Sequence, residues 1–245
     1  GARIAGVHLE GPYLNPKMAG SQPAHRIRPA DPKEYRAWLA TGIIRVVTVA
    51  PEIPDNERFI KACIKKGIVV SLGHCAGSYE ETLRAIAWGA RQTTHTFNGM
   101  SPLHHPEPGI VGAALTHGDI RCEIIADLVH LHPATIKLIV AAKGTDRCIL
   151  VTDSVKDAGG GGTIRNAAGT LAGSSLTMDA ALRNTIKATG MTVEEAWPMT
   201  SRSAARQLGI KAGDIKAGYD ADFVLLDAEC TVRATIIRGK IAYRL

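Results

Sequence analysis

At 245 residues with 45% hydrophobic side chains, the chain can bury a sizeable core as one large domain or two smaller ones, and its composition suits a globular protein and argues against disorder. A formal net charge of +6 favours anionic ligands, but the charge is scattered without a Lys/Arg run. Aromatic residues make up only 4%, so neither a basic stripe nor a stacking platform for nucleic acid is present, and a small anionic molecule is the better expectation.

The first element is read from Ile4-Ala5-Gly6-Val7-His8-Leu9-Glu10-Gly11-Pro12, a short apolar strand stopped by a carboxylate and a Gly-Pro pair that cannot extend it. Residues 11–31 read as loop, and 32–40 as a helix with Asp31 as cap and Pro32 in its first turn. A strand over 45–50 precedes a helix over 54–66 closed by Gly67, and the strand 68–72 ends at Gly73-His74. Ser78 with Glu81 three residues on predicts a capping box and a helix reaching Trp88-Gly89. The strand 91–94 ends at His95, and 98–112, with Pro102, Pro106 and Pro108, reads as loop. A strand over 120–126 ends at Asp127 and leads to His130; a helix spans 133–143, closed by Gly144; a strand over 148–152 ends at Asp153. Gly159-Gly160-Gly161-Gly162 reads as a flexible stretch, 176–189 and 192–208 as helices, and 221–227 and 234–243 as strands around turns. Residues 1–210 are thus expected to form the main domain and 211–245 to join a small β-domain.

Six strands, mostly alternating with helices and apolar on both faces, predict a parallel sheet with right-handed crossovers. An open doubly wound sheet carries a Gly-rich phosphate turn after its first strand, and none is found here. Functional side chains at successive strand ends favour an α/β barrel of the (β/α)8 type. Eight strands close such a barrel, so the chain, which enters its first strand almost at once, is expected to be an incomplete part of a larger fold. Five cysteines without a CxxC spacing, mostly in apolar runs, suit reduced buried thiols in a cytoplasmic protein, and no signal peptide or membrane span is visible.

Strand ends present Glu10, His74, His95 and Asp153. One carboxylate and two imidazoles make a good ligand set for Zn²⁺ or a similar divalent ion, and Asp153 is the candidate proton carrier. Blander readings stand beside these: a solvated strand-end Glu10, core histidines satisfied by backbone, and Asp153 as a helix cap. His104 and His105 read as solvated loop residues, His117 and His132 as helix-end residues, and His8 is left without a role.

Six stretches occur in order: His8-Leu9-Glu10-Gly11-Pro12, Ser71-Leu72-Gly73-His74, Thr94-His95-Thr96-Phe97-Asn98-Gly99-Met100, Asp127-Leu128-Val129-His130, Val151-Thr152-Asp153 and Leu171-Ala172-Gly173-Ser174-Ser175-Leu176-Thr177-Met178. Together they resemble the N-acetylglucosamine-6-phosphate deacetylases of the amidohydrolase superfamily, and Gly218-Tyr219-Asp220-Ala221-Asp222-Phe223-Val224 is similar to the closing β-domain of that superfamily. The resemblance implies a TIM-like barrel with a small β-sandwich domain, in a cytoplasmic homodimer of amino-sugar catabolism. It implies a divalent metal, Zn first and Fe, Mn or Co otherwise, held by Glu10, His74 and His95, with Asp153 as acid/base. The substrate implied is an amino-sugar phosphate touched by Ser21, Gln22, Asn98, Gly99, Asp127, Leu128, Val129, His130, Leu171, Ala172 and Gly173. No nucleic acid and no membrane are implied as partners. The rivals are another amidohydrolase acting on a related N-acyl or cyclic amide, and a fragment or pseudoenzyme that binds without turnover.

The sequence departs from the family pattern in several places. Gly20-Ser21-Gln22-Pro23 carries no histidine where the family often has one, although Gln22 can still donate to an amide oxygen. Pro106 stands where the family often has an arginine before Glu-Pro-Gly, which weakens the expectation of a 6-phosphate. Leu128 replaces a common glycine. The early His-x-His strand is absent, and the hairpin before Gly-Ser-Ser-Leu-Thr-Met is expected to be short or missing.

Overall fold

The computed structural model describes residues 3–155, 164–166 and 169–245; the four glycines at 159–162 lie outside the described residues. Nine strands and eight α-helices follow one another among the described residues. These are β1 (Val7–Glu10), α1 (Pro32–Ala40), β2 (Ile44–Val49), α2 (Asn56–Lys65), β3 (Val69–Leu72), α3 (Tyr79–Trp88), β4 (Gln92–Thr93), α4 (Gly109–Thr116), β5 (Arg121–Ile125), α5 (Pro133–Lys143), β6 (Cys148–Val151), α6 (Met178–Thr189), α7 (Val193–Ala196), α8 (Arg202–Leu208), β7 (Phe223–Leu226), β8 (Val232–Ile237) and β9 (Lys240–Arg244).

The strands of the larger sheet lie in sequence order, β1-β2-β3-β4-β5-β6, and β1 to β5 pair parallel. A doubly wound sheet reverses its strand order part-way, whereas an unbroken order is that of a TIM-like barrel. The last three strands form a separate antiparallel sheet, β7-β8-β9. The chain divides into two compact units: residues 5–123 with 164–173, and residues 1–4, 124–163 and 174–245.

In the first unit, alternate β2 and β3 residues, with Phe59, Ile60 and Cys63 of α2 and Tyr35 and Leu39 of α1, build one core. Tyr13 stacks on Trp38 at 5.6 Å and meets Phe59 edge-on at 4.8 Å, which closes that core at the start of the loop leaving β1. Each fully buried Val, Ile or Phe here contributes roughly 1.5–3 kcal/mol. The predicted capping box is present: Ser78 Oγ accepts from Glu81 N–H at 3.1 Å, and a Glu81 oxygen accepts from Ser78 N–H at 2.8 Å. The second unit buries Ile124, Ile125, Ile136, Ile139, Leu150 and Met199. All five cysteines are buried and none forms a disulfide, and among the described residues no helix is long and apolar enough to cross a membrane.

Three sequence expectations need correction. The stretch 98–112 is not loop throughout, because α4 starts at Gly109. Its prolines all precede it, and Ile110, Val111, Ala113 and Ala114 are fully buried, so burial holds a helix that carries two glycines. The helix expected over 192–208 is broken. It consists of α7, a 3₁₀ turn at Trp197–Thr200 and α8, because Pro198 has no N–H to continue the ladder. Finally, α2 begins at Asn56 rather than residue 54, since Asp55 takes φ +69°.

Asn56 holds three chain segments together. Its Oδ1 accepts from Ala30 N–H at 3.0 Å, and its Nδ2 donates to the carbonyls of Tyr13 at 3.0 Å and Ala50 at 2.8 Å. Asn56→Ala leaves buried backbone groups unpaired, and a loss of roughly 2–4 kcal/mol is expected. Urea denaturation checks this; a change below about 0.5 kcal/mol, the size of an ordinary surface substitution, would contradict it.

Candidate metal centre

One offset recurs along the sheet. His74, His95, Asp127 and Asp153 each stand two residues beyond the last residue of β3, β4, β5 and β6, and Glu10 is itself the last residue of β1. His74, His95 and Asp153 adopt left-handed φ values of 48°, 30° and 47°, and Leu128, next to Asp127, adopts 64°. Such values at residues with a Cβ cost on the order of 1–3 kcal/mol and persist where the surroundings enforce them.

In the first unit Glu10, His74 and His95 converge. His74 Nε2 lies 2.7 Å and His95 Nε2 3.3 Å from Glu10 Oε1, and the two Nε2 atoms are 3.2 Å apart. Both rings are buried, and the carboxylate is a quarter exposed. His74 Nδ1 faces the carbonyl of Met18 at 2.7 Å, and His95 Nδ1 faces the carbonyl of Asn98 at 3.1 Å. A carbonyl only accepts, so in each neutral imidazole the proton sits on Nδ1 and the Nε2 lone pair points inward. Two nitrogen lone pairs and a carboxylate oxygen therefore meet at one point, an arrangement that a cation at their focus stabilises.

The dimensions suit such an ion. Two nitrogens each about 2.05 Å from a tetrahedral zinc are about 3.3 Å apart. The carbonyl bonds at Nδ1 are the partners that fix the tautomer and ring orientation of metal-binding histidines. Among the described residues, this is the one group of three or more His, Cys, Asp or Glu with ligand atoms all within 4.8 Å of one another. Burial opposes ionisation of Glu10, yet where the imidazoles carry a proton on Nε2 as well, their hydrogen bonds, from His74 first and then His95, hold its carboxyl well below the usual carboxylate range; an ion at the focus takes the place of those protons.

Close packing surrounds the trio. A Cβ on Gly99 would lie 3.0 Å from His74 Nδ1, and one on Gly20 would lie 3.2 Å from His74 Cε1, so the two glycines bracket that ring. A Cβ on Gly73 would lie 2.8 Å from Thr48 and 2.9 Å from Thr94, which accounts for the glycine before His74. Thr94 Oγ1 meets Thr48 Oγ1 at 2.7 Å and Ser71 Oγ at 2.6 Å, and Thr48 Oγ1 meets His8 Nε2 at 2.7 Å, so His8 belongs to a hydroxyl chain linking β1, β2, β3 and the end of β4.

Sequence reasoning missed Glu123 on β5. Its Oε2 accepts from the His95 N–H at 3.2 Å, its Oε1 from Gln92 Nε2 at 2.5 Å, and its backbone carbonyl from Thr96 N–H at 2.9 Å. The available signal was a lone carboxylate inside the apolar run Cys122-Glu123-Ile124-Ile125.

The remaining expected site residues fall as follows. In the first unit, Asn98 and Gly99 lie in the turn after His95, and the buried Asn98 Nδ2 has no hydrogen-bond partner. Ser21 and Gln22 follow Gly20 in the loop whose Met18 carbonyl receives His74. Leu171 and Ala172 form one side of a short hairpin, with a bridge from Leu171 to Arg165 and Ala172 N–H donating to Ile164 O at 3.0 Å; Gly173 follows. A bridge of the hairpin expected to be short or missing is therefore present at Arg165 and Leu171; residues 156–163, 167 and 168 lie outside the described residues. In the second unit, Asp127 Oδ1 accepts from the N–H groups of Val129 and His130, and Asp127 Oδ2 meets His130 Nδ1 at 2.6 Å. Burial works against that carboxylate's charge, but the hydrogen bond to His130 outweighs it together with the backbone donors, so its pKa is lowered. Leu128 supplies the left-handed turn, and Val129 is exposed. Asp153 is held through its backbone: its carbonyl accepts from Ser174 N–H at 2.8 Å, and Ser174 Oγ donates to the neighbouring Thr152 carbonyl. His104 and His105 are exposed, His117 ends α4, and the His132 side chain caps α5.

The profile of the Amidohydrolase family matches residues 2–242. The chain is 40% identical over 262 residues to an N-acetylglucosamine-6-phosphate deacetylase of Bacillus subtilis (strain 168), covering 99% of this chain and 66% of that protein. It is 37% identical over 261 residues to an N-acetylgalactosamine-6-phosphate deacetylase of Escherichia coli O157:H7, covering 99% and 69%. The crystal structure of an N-acetylglucosamine-6-phosphate deacetylase from Thermotoga maritima superposes with a TM-score of 0.91 at 36% identity, over 98% of this chain and 70% of that one. The chain thus spans about two thirds of the length of the curated relatives it matches.

Removing a ligand or crowding one should both weaken metal binding. Glu10→Gln is expected to lower divalent-ion affinity by at least the roughly 10–100-fold loss typical of an outer-shell partner. Gly99→Ala, with φ +59° and a Cβ against His74, should lower both affinity and stability. Calorimetric titration with Zn²⁺ checks both; wild-type affinity in the Glu10→Gln variant would rule out this centre.

Proposed function

We propose that this chain, which belongs to the amidohydrolase family, carries a metal-dependent deacetylase site that hydrolyses the acetamide of N-acetylglucosamine 6-phosphate to glucosamine 6-phosphate and acetate. The observation that carries the reading is the meeting of two imidazole lone pairs and one carboxylate oxygen in the first unit. Glu10, His74 and His95 would hold the ion, zinc by preference, with Fe, Mn or Co as alternatives. A divalent ion held there supplies a Lewis acid for the amide carbonyl and acidifies water.

An amide is a weak electrophile with a poor leaving group, so a proton must move twice. Asp153, as a carboxylate, takes the proton from the attacking water and delivers it to the nitrogen as the C–N bond breaks. Its hold through Ser174 and its left-handed backbone support that role, since an acid/base group works from a fixed position. Asn98, with an unpartnered buried amide, and the adjacent Gly99 backbone suit the sugar phosphate. His130, whose Nδ1 is engaged by Asp127, has Nε2 left for the substrate. Ser21, Gln22, Leu128, Val129, Leu171, Ala172 and Gly173 complete the proposed contacts. Five buried cysteines outside any disulfide support a reducing compartment, the cytoplasm, for this chemistry.

Pro106, where an arginine is common, favours a second reading in which the substrate is a related N-acyl compound without phosphate. Acetate release from N-acetylglucosamine and N-acetylgalactosamine, each with and without 6-phosphate, separates the two. The 6-phosphates are expected to be preferred, and the absence of any preference would move the assignment to the second reading. Asp153→Asn should lower kcat about 10²–10⁴-fold with metal content unchanged. Equal acetate release by variant and wild type would remove Asp153 from its role.

A further inference from the structure

We propose that Glu123 is the positioning residue that fixes His95 for metal binding; this role rests on the reading of His95 as a ligand. Glu123 stands in the middle of β5 with 7% exposure, between the fully buried Cys122 and Ile124. A carboxylate in such a place is costly unless hydrogen-bonded, so its bonds identify its task. Both side-chain oxygens accept from groups that can only donate at those atoms: the His95 N–H at 3.2 Å and the Gln92 amide nitrogen at 2.5 Å. Its own carbonyl accepts from Thr96 N–H at 2.9 Å.

The segment so held carries the strain. His95 has φ +30°, its Nδ1 is turned to Asn98 O, and its Nε2 is delivered to Glu10 and His74. Glu123 thus grips this turn through the N–H of His95 and that of the next residue, and the start of β4 through Gln92. An acceptor toward the His95 N–H is required at this place. A glutamine at 123 still supplies one, because the Gln92 amide can turn over and accept from its NH₂, whereas a leucine supplies none.

That donor logic sets the test. Glu123→Leu removes both side-chain bonds at similar volume, and Glu123→Gln keeps both once Gln92 turns its amide over. Cobalt(II) titration of the full chain, followed by visible absorption, reports ligand geometry directly, and urea unfolding of the metal-free proteins reports stability. Glu123→Leu is expected to bind cobalt roughly 10–100-fold more weakly with an altered spectrum, and Glu123→Gln to keep most of the affinity and the wild-type spectrum. Unchanged cobalt affinity in Glu123→Leu, even with a lowered urea midpoint, would overturn the proposal and leave the metal reading intact. A Glu123→Gln variant that loses cobalt binding overturns it as well, because that variant keeps both hydrogen bonds. Failure of the wild-type chain to bind cobalt would instead overturn the metal reading, and this role with it.

Discussion

Two hydrogen bonds from imidazole Nδ1 atoms to backbone carbonyls decide the character of this protein. With Met18 and Asn98 accepting, both rings turn their unprotonated nitrogens toward Glu10. Without those bonds the rings could rotate, or exchange the proton between nitrogens, and nothing would bring three electron pairs to one place. The strand order, the glycines around His74 and the left-handed turns all serve to put these two rings where the carbonyls can reach them.

The sheet solves a problem of delivery. Parallel strands in sequence order end side by side, and an offset of two residues past a strand end recurs at four of them. The left-handed backbone at three of the four is costly in isolation, and neighbouring groups make it persist. Glu123 holds the turn at His95, and Ser174 holds the Asp153 segment by bonding the carbonyls of Thr152 and Asp153. The stable core lies in the strands and outer helices, whereas the strained residues sit at the strand ends, a division that barrel enzymes share.

The elements most legible in sequence were those with local, physical punctuation. Asp31-Pro32, Ser78 with Glu81, and Gly89 and Gly144 at helix ends fix boundaries through groups a few residues apart, and they stand where expected. Helix α4 was illegible because its glycines and the prolines before it argue for a loop locally, while buried Ile110 and Val111 act through tertiary contact. The break at Pro198 was legible in principle, since a missing N–H is a local fact; an apolar periodicity spanning the break hid it. At the candidate site, the imidazoles and carboxylates at strand ends were readable, as was the glycine beside His74. Glu123 and the carbonyls of Met18 and Asn98 were not, because a backbone acceptor has no letter in the sequence and a buried carboxylate gains its meaning only from what lies across the strand.

The two carbonyls also tie events at different places together. Met18 precedes the loop of Ser21 and Gln22, and Asn98 is itself a proposed sugar-phosphate contact. An ion that steadied the rings would steady both loops, and by thermodynamic reciprocity a molecule that ordered either loop would tighten the grip on the ion by the same factor. Occupancy of the inorganic site and residence of the organic ligand would then rise and fall as one quantity, and apparent metal affinity would depend on what the loops are holding.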